Sequence, residues 1–349
     1  MVQLELSLEV ASRARAFASA VRGLVKSGAL WCAVAFMLSL SIALGWTRVH
    51  EAREPGAAAR VAVWATDRDA GRVIGLDRDL LVAQSIAVRA PTEVEARPDG
   101  GAWVVSSLDA DPLGRHQLLR LQFDGTVAAR VPLGPSLDLF GDELGRALTV
   151  DLDSGAERVA LFDAQLALLW QRHWPGAQCA AATPQSCLVG TAQGELLLFD
   201  LGSPTSAPLR TSFGGSISDV APGPRADTWW ALDAHGFCRI GLFDAQLGLK
   251  WWRNVGLHAL HLAPVAQQER LWIADTTQPH VRRFGPAGVL EIDRADLPLG
   301  GLDRACGAPG GSALFAAVGA LLRLDVQGQN APGQAGFDFL VDVASVRPN

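Results

Sequence analysis

The chain has 349 residues, enough for one large domain or two ordinary ones, with a formal net charge of -6 and no Lys/Arg cluster beyond Arg282-Arg283. That balance argues against a nucleic-acid partner, which selects a basic face. With 49% hydrophobic and only 19% charged residues, 36 Gly and 19 Pro without a collagen-like period, the composition fits a membrane segment joined to a domain that turns often.

The first 26 residues carry Val10, Ala14, Phe17, Val21 and Leu24 at steps of four and three, with Arg13, Arg15 and Arg22 elsewhere. This is helical spacing with one apolar face. Such a helix suits a membrane surface or a partner protein, with Phe17 and Val21 as contacts, or it simply extends the following helix. Residues 27–47 contain no charge over 21 positions and hold Trp31 and Trp46 near their ends. At about 1.5 Å per residue they cross a hydrocarbon core of about 30 Å. The reading is an uncleaved transmembrane helix through the bilayer, with no convincing A-x-A site for cleavage. Arg13, Arg15, Arg22 and Lys26 precede it, against Arg48, Arg53 and Arg60 after it. The bias places the N-terminus in the cytoplasm of a bacterial inner membrane and the following domain in the periplasm. Residues 48–60 are read as a short linker.

From residue 61 the helical period vanishes. Short apolar runs such as VAVWAT (61–66), GAWVVSS (101–107), RVALFD (158–163), ELLLFD (195–200), DTWWALD (227–233) and RLWIADT (270–276) alternate with turn-formers. This predicts an all-β chain of hairpins over 61–349. RVALFDAQLALLWQRHW (158–174) and RIGLFDAQLGLKWWRNV (239–255) match at an offset of 81 residues. Half that offset is about 40, the length of one four-stranded propeller blade. Opening strands anchored on residues 93, 138, 178, 219, 259, 303 and 342 give steps of 45, 40, 41, 40, 44 and 39. The unit beginning at Val61 lacks its opening strand, while VDVASVRPN (341–349) is an opening strand with nothing after it. Tail and head together make one blade. The expectation is a seven-bladed β-propeller closed by strands from both termini, with six blades as the alternative.

Within each unit, Trp64, Trp103, Trp229, Trp272 and Phe315 on the second strand are expected to pack between blades. The Asp residues after the third strand are expected to cap turns through backbone N–H groups. Cys179 and Cys187 are read as small buried fillers; the alternative is a bridge on neighbouring strands in an oxidising compartment. No Cys or His spacing spells a metal site. His258 and His261 form H-x-x-H, but on a strand they point to opposite faces. Glu95, Asp138, Asp219 and Asp303 fall near inner strands, where carboxylates bind a cation or are solvated at a channel mouth.

The motifs VWATDRDAGRVIGLD (63–77), RPDGGAWVVS (97–106) and LWIADTTQPHVRRF (271–284) resemble the NHL/YVTN-like class of bacterial β-propellers. The resemblance covers about residues 60–349 and implies architecture more than activity, since that class includes sensors, scaffolds and a few lactonase- or lyase-like enzymes. No G-x-S-x-G elbow, phosphate-binding loop or metal motif is present. The chain is therefore read as a non-catalytic accessory, scaffold or assembly subunit of a membrane protein complex, without cofactor. The alternatives are an extracytoplasmic ligand-sensing propeller and a propeller hydrolase or lyase with a channel-mouth site. Exposed members of Trp170, Trp174, Trp251 and Trp252 are the candidate protein contacts, because strand alternation does not bury all four and aromatics are favoured in interface cores.

Overall fold

The computed structural model describes residues 61–349 except 110–113, 204, 237, 266–267, 298–301, 309–310, 318–319, 336, 338–339 and 346–349, and except the side chains of residues 303, 331–335 and 341. The readings at Phe17, Val21, the span 27–47 and the linker 48–60 lie outside the described residues. Among the described residues no helix is long and apolar enough to cross a membrane.

The strands form seven four-stranded antiparallel sheets. Blade 1 is the composite predicted from the two ends of the sequence. Its first strand is Leu340–Ser345, paired to Val63–Asp67, which continues through Arg72–Leu76 to Val82–Ala87. In the other six blades the four strands follow one another directly. Their first strands are Pro91–Ala96, Ser136–Gly141, Ala177–Ala182, Ile217–Pro222, Leu262–Pro264 and Leu302–Gly307, in blades 2 to 7. Each first strand contacts the first strands of both neighbouring blades, so the seven close into a ring around an axis. Closure leaves no inner sheet edge for unwanted pairing.

The core lies between blades rather than within them. Trp64, Trp103, Trp229, Trp272 and Phe315 are at most 2% exposed. Trp64 packs with Val94, Val104 and Leu121 of blade 2, and Trp103 with Ala147, Ala160 and Phe162 of blade 3. Two indoles also bridge blades by hydrogen bonds: Trp64 Nε1 donates to Gly100 O at 3.2 Å and Trp272 Nε1 to Gly311 O at 3.1 Å. The inter-blade role expected of these residues holds.

Alternating strand direction sorts the connections onto two faces. Turns between first and second strands and between third and fourth strands lie on one, called here the turn face. Second-to-third loops and blade-to-blade connections lie on the other, the crossover face. The turn face is organised by aspartates. Asp77, Asp142, Asp163, Asp244 and Asp325 each accept the amides two and four residues ahead. Asp77, Asp163, Asp244 and Asp325 follow third strands and are the turn caps expected there; Asp142 caps a turn after a first strand in the same way. Three of these turns place a leucine where glycine is usual: Leu80, Leu166 and Leu247 have φ of 60°, 66° and 58°. Gly125, Gly288 and Gly328 occupy the same place in blades 2, 6 and 7. All three leucine side chains are buried, which offsets a left-handed backbone that costs about 1–2 kcal/mol.

On the crossover face, second-strand aspartates bind third-strand arginines: Asp67–Arg72 at 2.8 Å, Asp151–Arg158 at 2.6 Å and Asp233–Arg239 at 2.7 Å. Asp151 and Asp233 also accept amides of the incoming connection, from Gly134 and from Gly215 and Ser216. Burial works to raise the Asp233 pKa, but Arg239 and these amides hold the carboxyl below its ordinary value.

Candidate functional site

The first strands share one irregularity that builds the site. In blades 2, 3, 4, 5 and 7 the pairing skips a residue near the start of the strand: Thr92, Leu137, Gln178, Ser218 and Asp303. Blade 1 does the same between Leu340 and Asp342. A bulge re-aims the residue that follows it. Here the following residues are Glu93, Asp138, Cys179, Asp219, Arg304 and Asp342. Blade 6 contributes His261, immediately before its first strand.

Three equivalent hydrogen bonds define the repeat. Asp342 Oδ2 accepts from Val94 N at 2.8 Å, Asp138 Oδ2 from Ala180 N at 2.9 Å and Asp219 Oδ2 from Leu262 N at 2.7 Å. Each carboxylate reaches to the next blade and takes the amide just beyond that blade's own ring residue. The seven blades thus contribute one side chain apiece to a ring on the axis, toward the crossover face, where the first strands begin.

The ring is polarised. Arg304 Nη1 donates to His261 Nδ1 at 2.9 Å, and Arg304 Nε lies 3.8 Å from Asp342 Oδ1. This arc, from blades 6, 7 and 1, holds its own cation. The opposite arc runs Glu93, Asp138, Cys179, Asp219. Cys179 Sγ donates to Ile217 O at 3.5 Å, and Ser216 Oγ donates to Gln178 Oε1 at 3.1 Å. Glu93 is 7% exposed and its Oε2 has no hydrogen-bond partner, and neither has Ser218 Oγ.

Burial sets the proton affinities. It pushes Glu93 up to about 7, with Arg304 opposing and Asp138 and Asp342 adding to the rise. Asp138 and Asp219 are raised by burial too, Asp138 further by the charge of Asp219. Asp342 is raised by burial, against Arg304. Burial, then Arg304, drives His261 well below the imidazole range, so it accepts from Arg304 as a neutral ring. Burial alone works to lower the Arg304 pKa, but the surrounding carboxylates hold it above the usual guanidinium value. A carboxyl near neutrality beside a fixed guanidinium suits recognition of a charged group and, in principle, proton exchange. Among the described residues no group of three or more His, Cys, Asp and Glu is placed to hold a metal ion.

Of the carboxylates expected at the channel mouth, Asp138 and Asp219 are in the ring. Glu95 is not the ring residue of blade 2; the bulge after Pro91 gives that place to Glu93. In blade 7 the bulge falls on residue 303, and the ring position passes to Arg304, a cation where a carboxylate was expected. His258 is exposed and His261 half-buried; both lie before the first strand of blade 6, so the strand alternation expected of them does not apply. Cys179 and Cys187 do not bridge. Both thiols are free and buried on opposite faces of blade 4, Cys179 against blade 5 and Cys187 against blade 3. Burial raises the thiol of Cys179, helped by Asp138 and Asp219, and that of Cys187 to about 12. Both, like the buried Cys238, are therefore expected to react with a thiol reagent only after denaturation, so that these three add three equivalents in urea; prompt reaction of Cys179 or Cys187 in the native protein would contradict this placement.

The four tryptophans separate. Trp170 is 8% exposed and packs edge-on against Phe199 at 5.3 Å, so it belongs to the core. Trp174 meets the same Phe199 at 5.8 Å and lies under the Arg210 guanidinium. Trp251 meets Trp230 edge-on, donates Nε1 to Glu269 at 3.2 Å and walls a shallow depression between blades 5 and 6. Trp252, on the outermost strand of blade 5, is 45% exposed. A separate set escaped the sequence reading. Leu81, Phe123, Leu144 and Val289 are 55%, 67%, 57% and 59% exposed at turn-face tips. Each follows an ordinary turn signal, and nothing in the sequence separates a tip that points outward from one that folds back, as Leu166 does.

No family model and no curated protein matches the sequence. Solved structures do match in fold. A functionally unknown protein from Desulfotomaculum acetoxidans DSM 771 superposes with a TM-score of 0.63 at 13% identity, over 83% of this chain and all of that one. A chain of a mitotic checkpoint complex superposes with a TM-score of 0.58 at 10% identity, over 72% of this chain and 83% of that one. At such identities the likeness establishes the fold: this chain folds as a seven-bladed β-propeller.

Proposed function

We propose that this propeller is a non-catalytic interaction module, an accessory or assembly subunit of a membrane protein complex. In this reading it is tethered by residues 27–47 with the propeller in the periplasm. The observation that supports it best is the turn face. Leu81, Phe123 and Leu144 are large, exposed apolar side chains presented on tips that aspartates lock, through two amides each at Asp77 and Asp142 and through the amide and hydroxyl of Thr126 at Asp124. Rigid presentation lowers the entropy lost on binding, and tethering to a bilayer raises the effective concentration toward other membrane proteins. We also place the propeller in the NHL/YVTN-like class, on the strength of the motifs at 63–77, 97–106 and 271–284.

The test is a C-terminal tag, mild detergent extraction of native membranes, and the mass and composition of the tagged particle. A discrete assembly of fixed stoichiometry is expected. It should weaken at least about tenfold in Phe123→Ser/Leu144→Ser, the loss of one or two buried hot-spot side chains. A lone monomer near 36.9 kDa plus detergent would overturn the subunit reading.

A further inference from the structure

The large exposed apolar side chains of this propeller gather on one face. Each blade shows one at the turn-face end of its fourth strand or in the turn before it: Leu81, Phe123, Leu168, Leu209, Leu249, Val289 and Val326 in blades 1 to 7. Among the described residues the crossover face exposes only Leu137 and Leu260. In blades 1 to 3 the ring thickens into a patch, where Val82, Val127 and Leu144 are exposed as well. The parts of the patch are in contact. Gln84 Nε2 of blade 1 donates to Phe123 O of blade 2 at 3.2 Å, Phe123 stands against Gly100, and Pro98 of the same turn as Gly100 stands against Gly145 of blade 3. A contiguous exposed apolar patch marks an interaction site.

The charges around the patch bear on what covers it. Exposed carboxylates flank the tips of the same three blades: Asp79 near Leu81, Asp124 beside Phe123 and Glu143 beside Leu144. No ion pair or side-chain hydrogen bond holds Asp79 or Glu143 among the described residues. Hydrogen bonds from Thr126 hold the Asp124 carboxyl below its ordinary value, so it stays charged. The arginines of the described turns are engaged, Arg97 with Asp99 and Arg146 with Asp142, except for the exposed Arg78. An anionic lipid surface would set its phosphates against these acids. A basic protein surface has the complementary sign.

We propose that the turn face of blades 1 to 3 docks a protein segment that carries Lys or Arg side chains between apolar ones. This rests on the subunit reading and adds the chemistry of the partner. The apolar side chains of the segment cover Leu81, Phe123 and Leu144, where most of the binding energy resides. Its cations face Asp79, Asp124 and Glu143 at the edge of the patch, where charge sets encounter rate and register more than affinity.

The experiment has two arms, both on the full chain from native membranes. In the first, Asp79→Lys/Glu143→Lys should weaken the detergent-extracted assembly about tenfold at low ionic strength. The difference should shrink in about 0.5 M salt, which screens exposed charges. Asp69→Lys, a reversal at an exposed side chain of the crossover face, should leave the assembly intact. Neither Asp79 nor Glu143 supplies a turn-capping side chain, so the unfolding midpoint should not move. The second arm needs no charge variant. Phe123 is replaced by the photoreactive p-benzoylphenylalanine and the membranes are irradiated. The adduct should lie on a protein segment with Lys or Arg close to the point of attachment. Adducts to lipid alone, to a protein segment without a basic residue, or to nothing overturn the proposal, as does an assembly indifferent to the double reversal. The two readings fail differently. A parent chain that extracts as a monomer counts against a stable subunit and leaves the cross-link to decide the docking segment. An assembly that forms and ignores the reversal counts against the docking segment alone.

Discussion

Arg304→Met should destabilise the propeller by about 3–5 kcal/mol near neutral pH, the usual cost of breaking a buried ion pair from one side. Arg304 is 24% exposed and opposes the burial of Glu93, Asp138, Asp219 and Asp342 together. Without it those carboxylates repel one another in a poorly hydrated ring. The loss should shrink as pH falls, because the carboxyls then take up protons instead. The sign in the parent protein follows from the same groups. Their folded pKa values are raised, so the native state binds more protons than the unfolded chain between the ordinary carboxyl range and about pH 7. In that window this ring lowers stability as pH rises. Asp233, Asp275 and Asp293, held below their ordinary values in spite of burial, act in the opposite direction at lower pH. Urea midpoints measured at about pH 5 and about pH 7.5 decide the matter. A much larger Arg304→Met penalty at the higher pH is expected, and an equal penalty at both would mean that the ring carboxyls titrate normally.

Trp272→Ala is the second large effect expected, about 3–5 kcal/mol from the cavity and lost packing. The indole is fully buried between blades 6 and 7, meets Phe315 edge-on at 6.1 Å and lies 5.1 Å from the Arg283 guanidinium. Its removal also leaves Gly311 O without the indole donor. For a domain of this size that is a fall of about 5–10 °C in Tm. Trp252→Ala is the contrast. At 45% exposure it should cost under about 1 kcal/mol in stability, so any larger effect of this change should appear in partner retention, not in unfolding. Differential scanning calorimetry of the two variants separates a core tryptophan from a surface one; similar losses in both would contradict the exposed placement of Trp252.

Much of the architecture was legible in advance because it repeats. The offset between Phe162 and Phe243, and the split of one blade between Val61 and the tail at 341–349, follow from counting. Both survive in the seven closed sheets. The turn aspartates were legible for a local reason: an Asp side chain reaches amides two and four residues away whatever the rest of the chain does. The second-strand aromatics were legible because a large residue at one register position of every blade has only the next blade to pack against.

The ring was only half legible, and the reason is geometric. Asp138 and Asp219 were identified from their place near an inner strand, but Glu95 and Asp303 were chosen in place of Glu93 and Arg304. A single bulge separates the right residue from its neighbour. A bulge is a property of strand pairing, not of the residues bulged, which here are as unlike as Thr92, Leu137, Gln178 and Ser218. Cys179 and Cys187 are the buried fillers expected, and the bridge offered as their alternative fails because the regular hairpin pairs Cys179 with Gly190 and Cys187 with Ala182, which puts the two thiols on opposite faces. The sequence by itself determined the blade length, the terminal closure and the turn chemistry, which rest on periodicity and local hydrogen bonding, and left seven blades against six to the structure. Only the tertiary structure decided which seven side chains meet on the axis and which turn tips stay exposed, because both depend on register between strands about 40 residues apart in the chain.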